Sequence, residues 1–147
     1  MSFQGDPNLI LWRLYLKSTI TRVHQVLSTD AGRASFWAES AKEINGVIYF
    51  VFPNQMTWGG RVLESIPPYK YVVQYFGNSI TTFRLEEEGE GGTVLTLTDA
   101  GVPIQDRPEV IAGWVSVLMN LIAVIEFGVD LRNHDVTRQW DNGFVEN

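Results

Sequence analysis

Cysteine is absent from the 147 residues, and histidine occurs only twice, at His24 and His134. Without thiols there is neither a disulfide framework nor thiolate chemistry, which suits a reducing, cytoplasmic setting. Two histidines far apart in sequence, with no cysteine, leave metal sites and His-based catalysis short of parts. No G-x-S-x-G elbow, H-E-x-x-H, P-loop or G-x-G-x-x-G occurs, so no catalytic residues, no metal and no cofactor are expected. Positive charge is scarce as well. Eleven Lys and Arg against seventeen Asp and Glu give a formal net charge of -6, which argues against nucleic acid or an anionic membrane surface as partner. The opening MSFQGDPNL lacks a basic segment followed by an apolar one, so no secretory signal is expected. No Pro/Gly/Ser-rich linker and no repeat divides the chain, which reads as one domain over residues 1–147.

Apolar residues, by contrast, are plentiful at 45%, with five Trp, five Tyr and eight Phe. The chain is organised around its late run, Asp106 to about Leu131. Between Glu109 and Glu126 lie about sixteen uncharged residues, short of the roughly 20 that span a bilayer. Asp106 followed three residues later by Glu109 predicts a capping box, with Pro108 in the first turn where its missing N–H does no harm. The expectation is one long helix of a soluble domain, without a membrane span, covered along most of its circumference.

The preceding chain supplies the cover. Leu9–Lys17 (LILWRLYLK) is rich in β-formers and predicts a first strand. Ser18 and Thr19 offer caps to ITRVHQVLS, and Ser28, Thr29 or Asp30 caps a second short helix, DAGRASFWAES. Strand signals follow in VIYFVF, MTWGGRVLESI, YKYVVQYF, SITTFRLE and TVLTLT, punctuated by Pro53-Asn54, Pro67-Pro68, Gly77-Asn78 and the acidic, Gly-rich Glu86–Gly92. Gly59-Gly60 predicts a bulge or a close backbone approach. Spacings this short demand antiparallel hairpins. The order is strand, two short helices, about six antiparallel strands and one long helix. It predicts an α+β helix-grip fold, a curled sheet wrapped around the C-terminal helix.

The segments LSTDAGRASFWA, GGRVLESIPPYKYVVQYF, GTVLTLTDAG and GWVSVLMNLIAVIEFG resemble those of the START-like (SRPBCC) superfamily, in particular the group related to the C-terminal domain of activator of Hsp90 ATPase. The resemblance covers Leu11 to Gly128. The trailing VDLRNHDVTRQWDNGFVEN is similar to a C-terminal extension of bacterial members of that group. The resemblance implies a hydrophobic cavity between sheet and final helix. Relatives use such a cavity to bind lipids, polyketides or plant hormones, or to cyclise or hydroxylate aromatic substrates, and others act as co-chaperone domains.

The candidate site is therefore an aromatic-lined cavity. Trp114, Leu118 and Ile122 would form its helix stripe, Phe50, Trp58, Tyr71, Tyr75 and Phe83 the opposite wall, and Phe36 the rim. Ordinary core packing is the competing explanation for each of these side chains. Glu64 is expected to face solvent or pair with Arg61 or Arg84, Glu126 and Asp130 to meet Arg132 or the tail, and His24 to be an unremarkable surface histidine. Trp140 and Phe144 are expected to pack residues 132–147 on the domain or on a second subunit. The leading expectation is non-catalytic binding of a small hydrophobic or lipid-like molecule. The alternative is an Hsp90-type co-chaperone or protein-interaction domain offering the Glu86–Glu90 hairpin to a basic partner, and the third reading is a polyketide cyclase- or hydrolase-like enzyme.

Overall fold

A computed structural model describes residues 3–147. Strand β1 (Leu9–Leu16) is followed by helices α1 (Ile20–Ser28) and α2 (Asp30–Phe36). Then come β2 (Ser40–Ile44), β3 (Val47–Val51), β4 (Thr57–Ile66), β5 (Lys70–Gln74), β6 (Ile80–Glu88) and β7 (Gly92–Ala100), and finally the long helix α3 (Arg107–Phe127). The seven strands form one antiparallel sheet in the order β1-β7-β6-β5-β4-β3-β2, so β1 closes against the last strand of the meander. The sheet curls about its core, and the arrangement is the α+β helix-grip fold that the element order predicts.

The period-2 patterning decides the inner face. Thr81, Phe83 and Leu85 of β6, and Leu95 and Leu97 of β7, are all buried. The short helices start on side-chain caps: the Thr19 hydroxyl accepts from the Arg22 N–H at 3.2 Å and the Thr29 hydroxyl from the Gly32 N–H at 3.1 Å. Their apolar faces, Ile20, Val23, Leu27 and Phe36, enter the same core. Arg33, fully buried, ties this corner together. It donates to the Ala41 carbonyl at 3.0 Å, the Tyr71 hydroxyl at 3.3 Å and Asp30 at 2.6 Å.

Several local expectations change. The second helix stops at Phe36 rather than Ser40, because the Trp37 and Ala38 N–H groups both return to the Arg33 carbonyl. Ser40–Ile44 is a strand instead. It pairs with β3 through Asn45-Gly46, whose φ values of 52° and 79° make the two-residue hairpin turn that Asn-Gly favours. The bulge in β4 lies between Val62 and Glu64, while Gly60 provides the close approach: a Cβ there would sit 2.1 Å from the Gln74 carbonyl oxygen. Asp106 does not form the expected capping box, since it is itself in a helical conformation and its side chain caps nothing. The helix ends at Phe127, four residues early, because Gly128 turns left-handed at φ 64° and Val129 N–H returns to the Ala123 carbonyl.

By length and composition α3 is apolar enough to cross a membrane, with a mean hydropathy of 2.1. Here it lies over the sheet with Trp114, Leu118 and Leu121 buried in the core. Trp12 Nε1 donates to the Ile111 carbonyl at 3.2 Å, joining the helix to β1.

Candidate functional site

The middle of the sheet's inner face carries the packed core, and open space lies toward one end of it. A cleft of about 190 Å³ lies between α3, the β3–β4 turn, the corner after β5 and the C-terminal segment. Its volume is below the roughly 300–1,000 Å³ of sites for drug-sized ligands, so it suits a molecule of one or two rings.

An aromatic wall forms one side. Phe52 stacks on Trp58 with centroids 4.3 Å apart, Trp58 meets Tyr75 at 5.2 Å and Phe76 at 5.4 Å, and Tyr75 meets Trp114 at 5.0 Å. The β3–β4 turn delivers Phe52, Met56 and Trp58, and the end of β5 delivers Tyr75 and Phe76. Across from them, Val110, Gly113, Val117 and Asn120 run along one stripe of α3 at helical spacing. Gly113 leaves this stripe open: a Cβ built there would meet nothing within 4 Å.

Two of the indoles here, Trp37 and Trp114, are satisfied within the core. Trp37 Nε1 donates to the Tyr75 hydroxyl at 3.0 Å, and Trp114 Nε1 donates to Asp99 at 2.9 Å. Asp99 also accepts from the Thr81 hydroxyl at 2.9 Å and is fully buried. Burial pushes the Asp99 carboxyl up from its usual range, against the donors that favour its charge. Burial likewise pushes the Tyr75 phenol far above its ordinary value, so the phenol keeps its proton at neutral pH. Trp58 Nε1 has no partner among the described residues. Asn120, only 7% exposed, lines the cleft as well.

The C-terminal segment closes the outer side with Trp140, Asp141 and Asn147. Trp140 Nε1 donates to Glu109 at 3.1 Å, the Ser116 hydroxyl to the Val145 carbonyl at 2.9 Å, and Asn54 to Asp141 at 3.4 Å. Arg132, only 8% exposed, anchors the segment: it donates to the carbonyls of Ala38 at 2.8 Å and Ala34 at 2.7 Å and pairs with Asp130. Burial works against the Asp130 charge, yet the hydrogen bonds from Arg132 and His134 hold its pKa down at about 2. His134 bridges Asp130 and Glu39, 2.6 Å from each, and those two carboxylates raise its pKa.

Of the nine residues singled out in the sequence, Trp58, Tyr75 and Trp114 come together on the cleft wall. Phe36, Phe50 and Phe83 lie in the packed core, Leu118 is buried beside them, and Ile122 is half-buried on α3. Tyr71 faces the other corner, where it receives the Arg33 hydrogen bond, and burial pushes its phenol up to about 12. Phe52, Met56, Phe76, Gly113, Asn120 and Trp140 line the cleft without having been singled out. The sequence signals for two of them were a glycine and an asparagine inside an otherwise apolar helix.

One further expectation is corrected. His24 is not at the surface but 4% exposed, beside the Lys70 carbonyl and the Ser28 hydroxyl at 3.3 Å, and burial lowers its pKa. Glu64 faces solvent, the first of the two alternatives expected for it, and pairs there with Lys70 on the adjacent strand at 2.9 Å rather than with Arg61 or Arg84.

The family model for activator of Hsp90 ATPase homolog 1-like protein matches residues 12–126. Among solved structures, the chain is similar to the Aha1 dimer of Colwellia psychrerythraea, at 22% identity over 82% of this chain and 97% of that one, with a TM-score of 0.72. It is also similar to protein SSP2350 of Staphylococcus saprophyticus (21%, 82% and 93%, 0.69) and to CalU16 of Micromonospora echinospora (25%, 80% and 73%, 0.67). No curated protein matches it.

Proposed function

This chain belongs to the activator of Hsp90 ATPase homolog 1-like family, and from that premise we propose that it is a non-catalytic, cytoplasmic binding domain for a small, largely apolar molecule held beneath α3. The observation that carries this reading is the aromatic-walled cleft whose helix side is opened by Gly113 and whose wall holds the Trp58 indole N–H buried without a partner among the described residues. A buried donor left unpaired costs about 1–3 kcal/mol, and an acceptor atom of a ligand removes that penalty. Apolar walls supply affinity in proportion to the surface they cover, while the few polar groups on the lining supply orientation.

The test is native mass spectrometry of gently purified protein, followed by denaturation and analysis of the released small molecules. A near-stoichiometric apolar compound that is lost from a Gly113→Leu variant supports the reading. A wild-type protein that takes up nothing from aromatic and short-chain libraries overturns it.

A second reading, protein interaction of the kind the family description names, draws on the β6–β7 hairpin. Glu86, Glu87, Glu88 and Glu90 are exposed there and form no ion pair among the described residues, which suits a basic protein surface. Neutralising all four should abolish capture of a chaperone partner. Undiminished capture would remove the hairpin from that account.

A further inference from the structure

We propose that His134 is a proton-operated latch on the C-terminal segment, holding it closed over the cleft when the ring is charged and letting it swing open when the ring is neutral. This rests on the cleft-binding reading above and adds the control of that same site.

The segment is bonded to itself as one body. Asn133 N–H donates to the Glu146 carbonyl at 2.8 Å. The Asn133 side chain donates to the Arg138 carbonyl and accepts from the Asn147 side chain, both at 3.0 Å. Trp140 N–H donates to the Asn147 side chain at 3.2 Å. Residues 133–147 thus form a compact surface loop whose two ends meet at Asn133. Its pivot is the preceding residue, Arg132, whose buried guanidinium donates to the Ala34 and Ala38 carbonyls. A rotation about that pivot would carry Trp140, Asp141 and Asn147 away from the cleft together.

His134 stands just after the pivot, clamped between two carboxylates. Its Nε2 lies 2.6 Å from Asp130, which follows α3, and its Nδ1 lies 2.6 Å from Glu39, in the turn between α2 and β2. A neutral imidazole has one N–H and donates to one of them, whereas the imidazolium donates to both. The charged ring therefore stitches the root of the segment to two separate elements. Its backbone shows the clamp at work: φ at His134 is 50°, a left-handed conformation that persists where surrounding contacts enforce it.

Loss of the proton turns one ring lone pair onto a carboxylate that has only lone pairs to offer. Asp130 keeps its charge, because Arg132 bonds it through Nε, Nη2 and the main-chain N–H. Glu39 has no cation other than His134 within ion-pair distance among the described residues. Asp135 and Arg138, the other charged groups near the ring on its own segment, pair with each other at 3.7 Å. The closed segment thus binds the proton more tightly than the open one, and by linkage rising pH favours opening, about tenfold for each unit between the ring's two pKa values. The bonds to Asp130 and Glu39 raise the pKa of the closed ring above 6.5, so the latch releases toward alkaline pH. Solvent screens a side chain that is 39% exposed, which makes the change a matter of a few-fold.

The test follows the Trp140 indole N–H by nuclear magnetic resonance without added ligand, its signal identified by its loss in Trp140→Phe. From about pH 5.5 to about pH 8.5 the signal should leave the position of the bond to Glu109 along one titration curve, the open fraction rising at least about threefold. The curve should vanish in His134→Ala and move to lower pH in Glu39→Gln, which removes one of the two charges. A flat wild-type response, a curve that survives in His134→Ala, or an unmoved midpoint in Glu39→Gln would overturn the latch. Over the same range, release of 2-naphthalenemethanol, a neutral two-ring fluorophore with no titrating group, should quicken at least about threefold in wild type and stay constant in His134→Ala. A constant rate in wild type would overturn the control of the cleft. If the probe does not bind at all, the cleft-binding reading loses its support while the indole titration still decides the latch.

Discussion

Gly113 offers a sharp test because filling it should raise stability and lower ligand affinity together. Glycine inside a helix is less stable than alanine by about 0.5–1 kcal/mol, since it surrenders more backbone freedom on folding. That penalty is tolerated where a Cβ would collide with a neighbour, as it would at Gly60. At Gly113 the backbone is helical and a Cβ would meet nothing within 4 Å. Gly113→Ala should therefore stabilise the protein by about 0.5–1 kcal/mol, raising the melting temperature by roughly 2–4 °C per kcal/mol for a domain near this size. The same methyl group intrudes on the cleft, so ligand affinity should fall as stability rises. Gly113→Leu should abolish uptake while the protein still melts cooperatively. Thermal melts and ligand titrations on the same samples decide the matter. A loss of stability in Gly113→Ala would show that the space is not open. A gain in stability with full affinity retained in Gly113→Leu would show that Gly113 does not face the ligand.

Three other perturbations probe the surroundings. Asp99→Leu leaves the Trp114 indole N–H and the Thr81 hydroxyl without a partner and should lower stability by about 2–5 kcal/mol in chemical denaturation, whereas Asp99→Asn, which can still accept from one and donate to the other, should lose far less; equal losses would refute the role given to the carboxylate. His134 has a folded pKa above its unfolded value, so its contribution is complete below about pH 6.5 and fades as pH rises through the folded value. The melting temperature of wild-type protein should fall relative to His134→Ala across that window, and parallel curves would refute it. Deleting residues 135–147 removes Trp140, Asp141 and Asn147 from the cleft and should weaken binding and lower the melting temperature; an unchanged melt and unchanged affinity would show that the segment contributes neither packing nor a wall.

The architecture was legible because it rests on periodicity. Alternation on β6 and β7 set the inward face, short turns forced antiparallel pairing, and the apolar run set α3. β2 was missed although Asn45-Gly46 marked its hairpin, because SAKEI has one strongly β-forming residue in five and little apolar content. The site was less legible for a different reason. Inward positions in mid-strand, such as Phe50 and Phe83, are enclosed by Trp37 and Trp114 and become core. Open space arises where strands end, and there the lining comes from turn and tail residues such as Phe52, Met56 and Trp140, whose side-chain directions follow no sequence period. Asn120 and Ser116 interrupt the apolar run in the sequence, yet which face of that helix they occupy needed the whole fold.

The attachment of the C-terminal segment bears on how quickly anything in the cleft is exchanged. Its root is fixed by the buried guanidinium of Arg132, while beyond the root its contacts to α3 and the β3–β4 turn are exposed hydrogen bonds from Trp140, Ser116 and Asn54. Exposed contacts of this kind open at a small fraction of the free energy of global unfolding. The wall can therefore swing away while the sheet and α3 stay folded, and a molecule held as proposed would leave at the rate of that local opening. Residence time and thermal stability are then governed by different residues, and a substitution at Trp140 can change the first by orders of magnitude while barely moving the second.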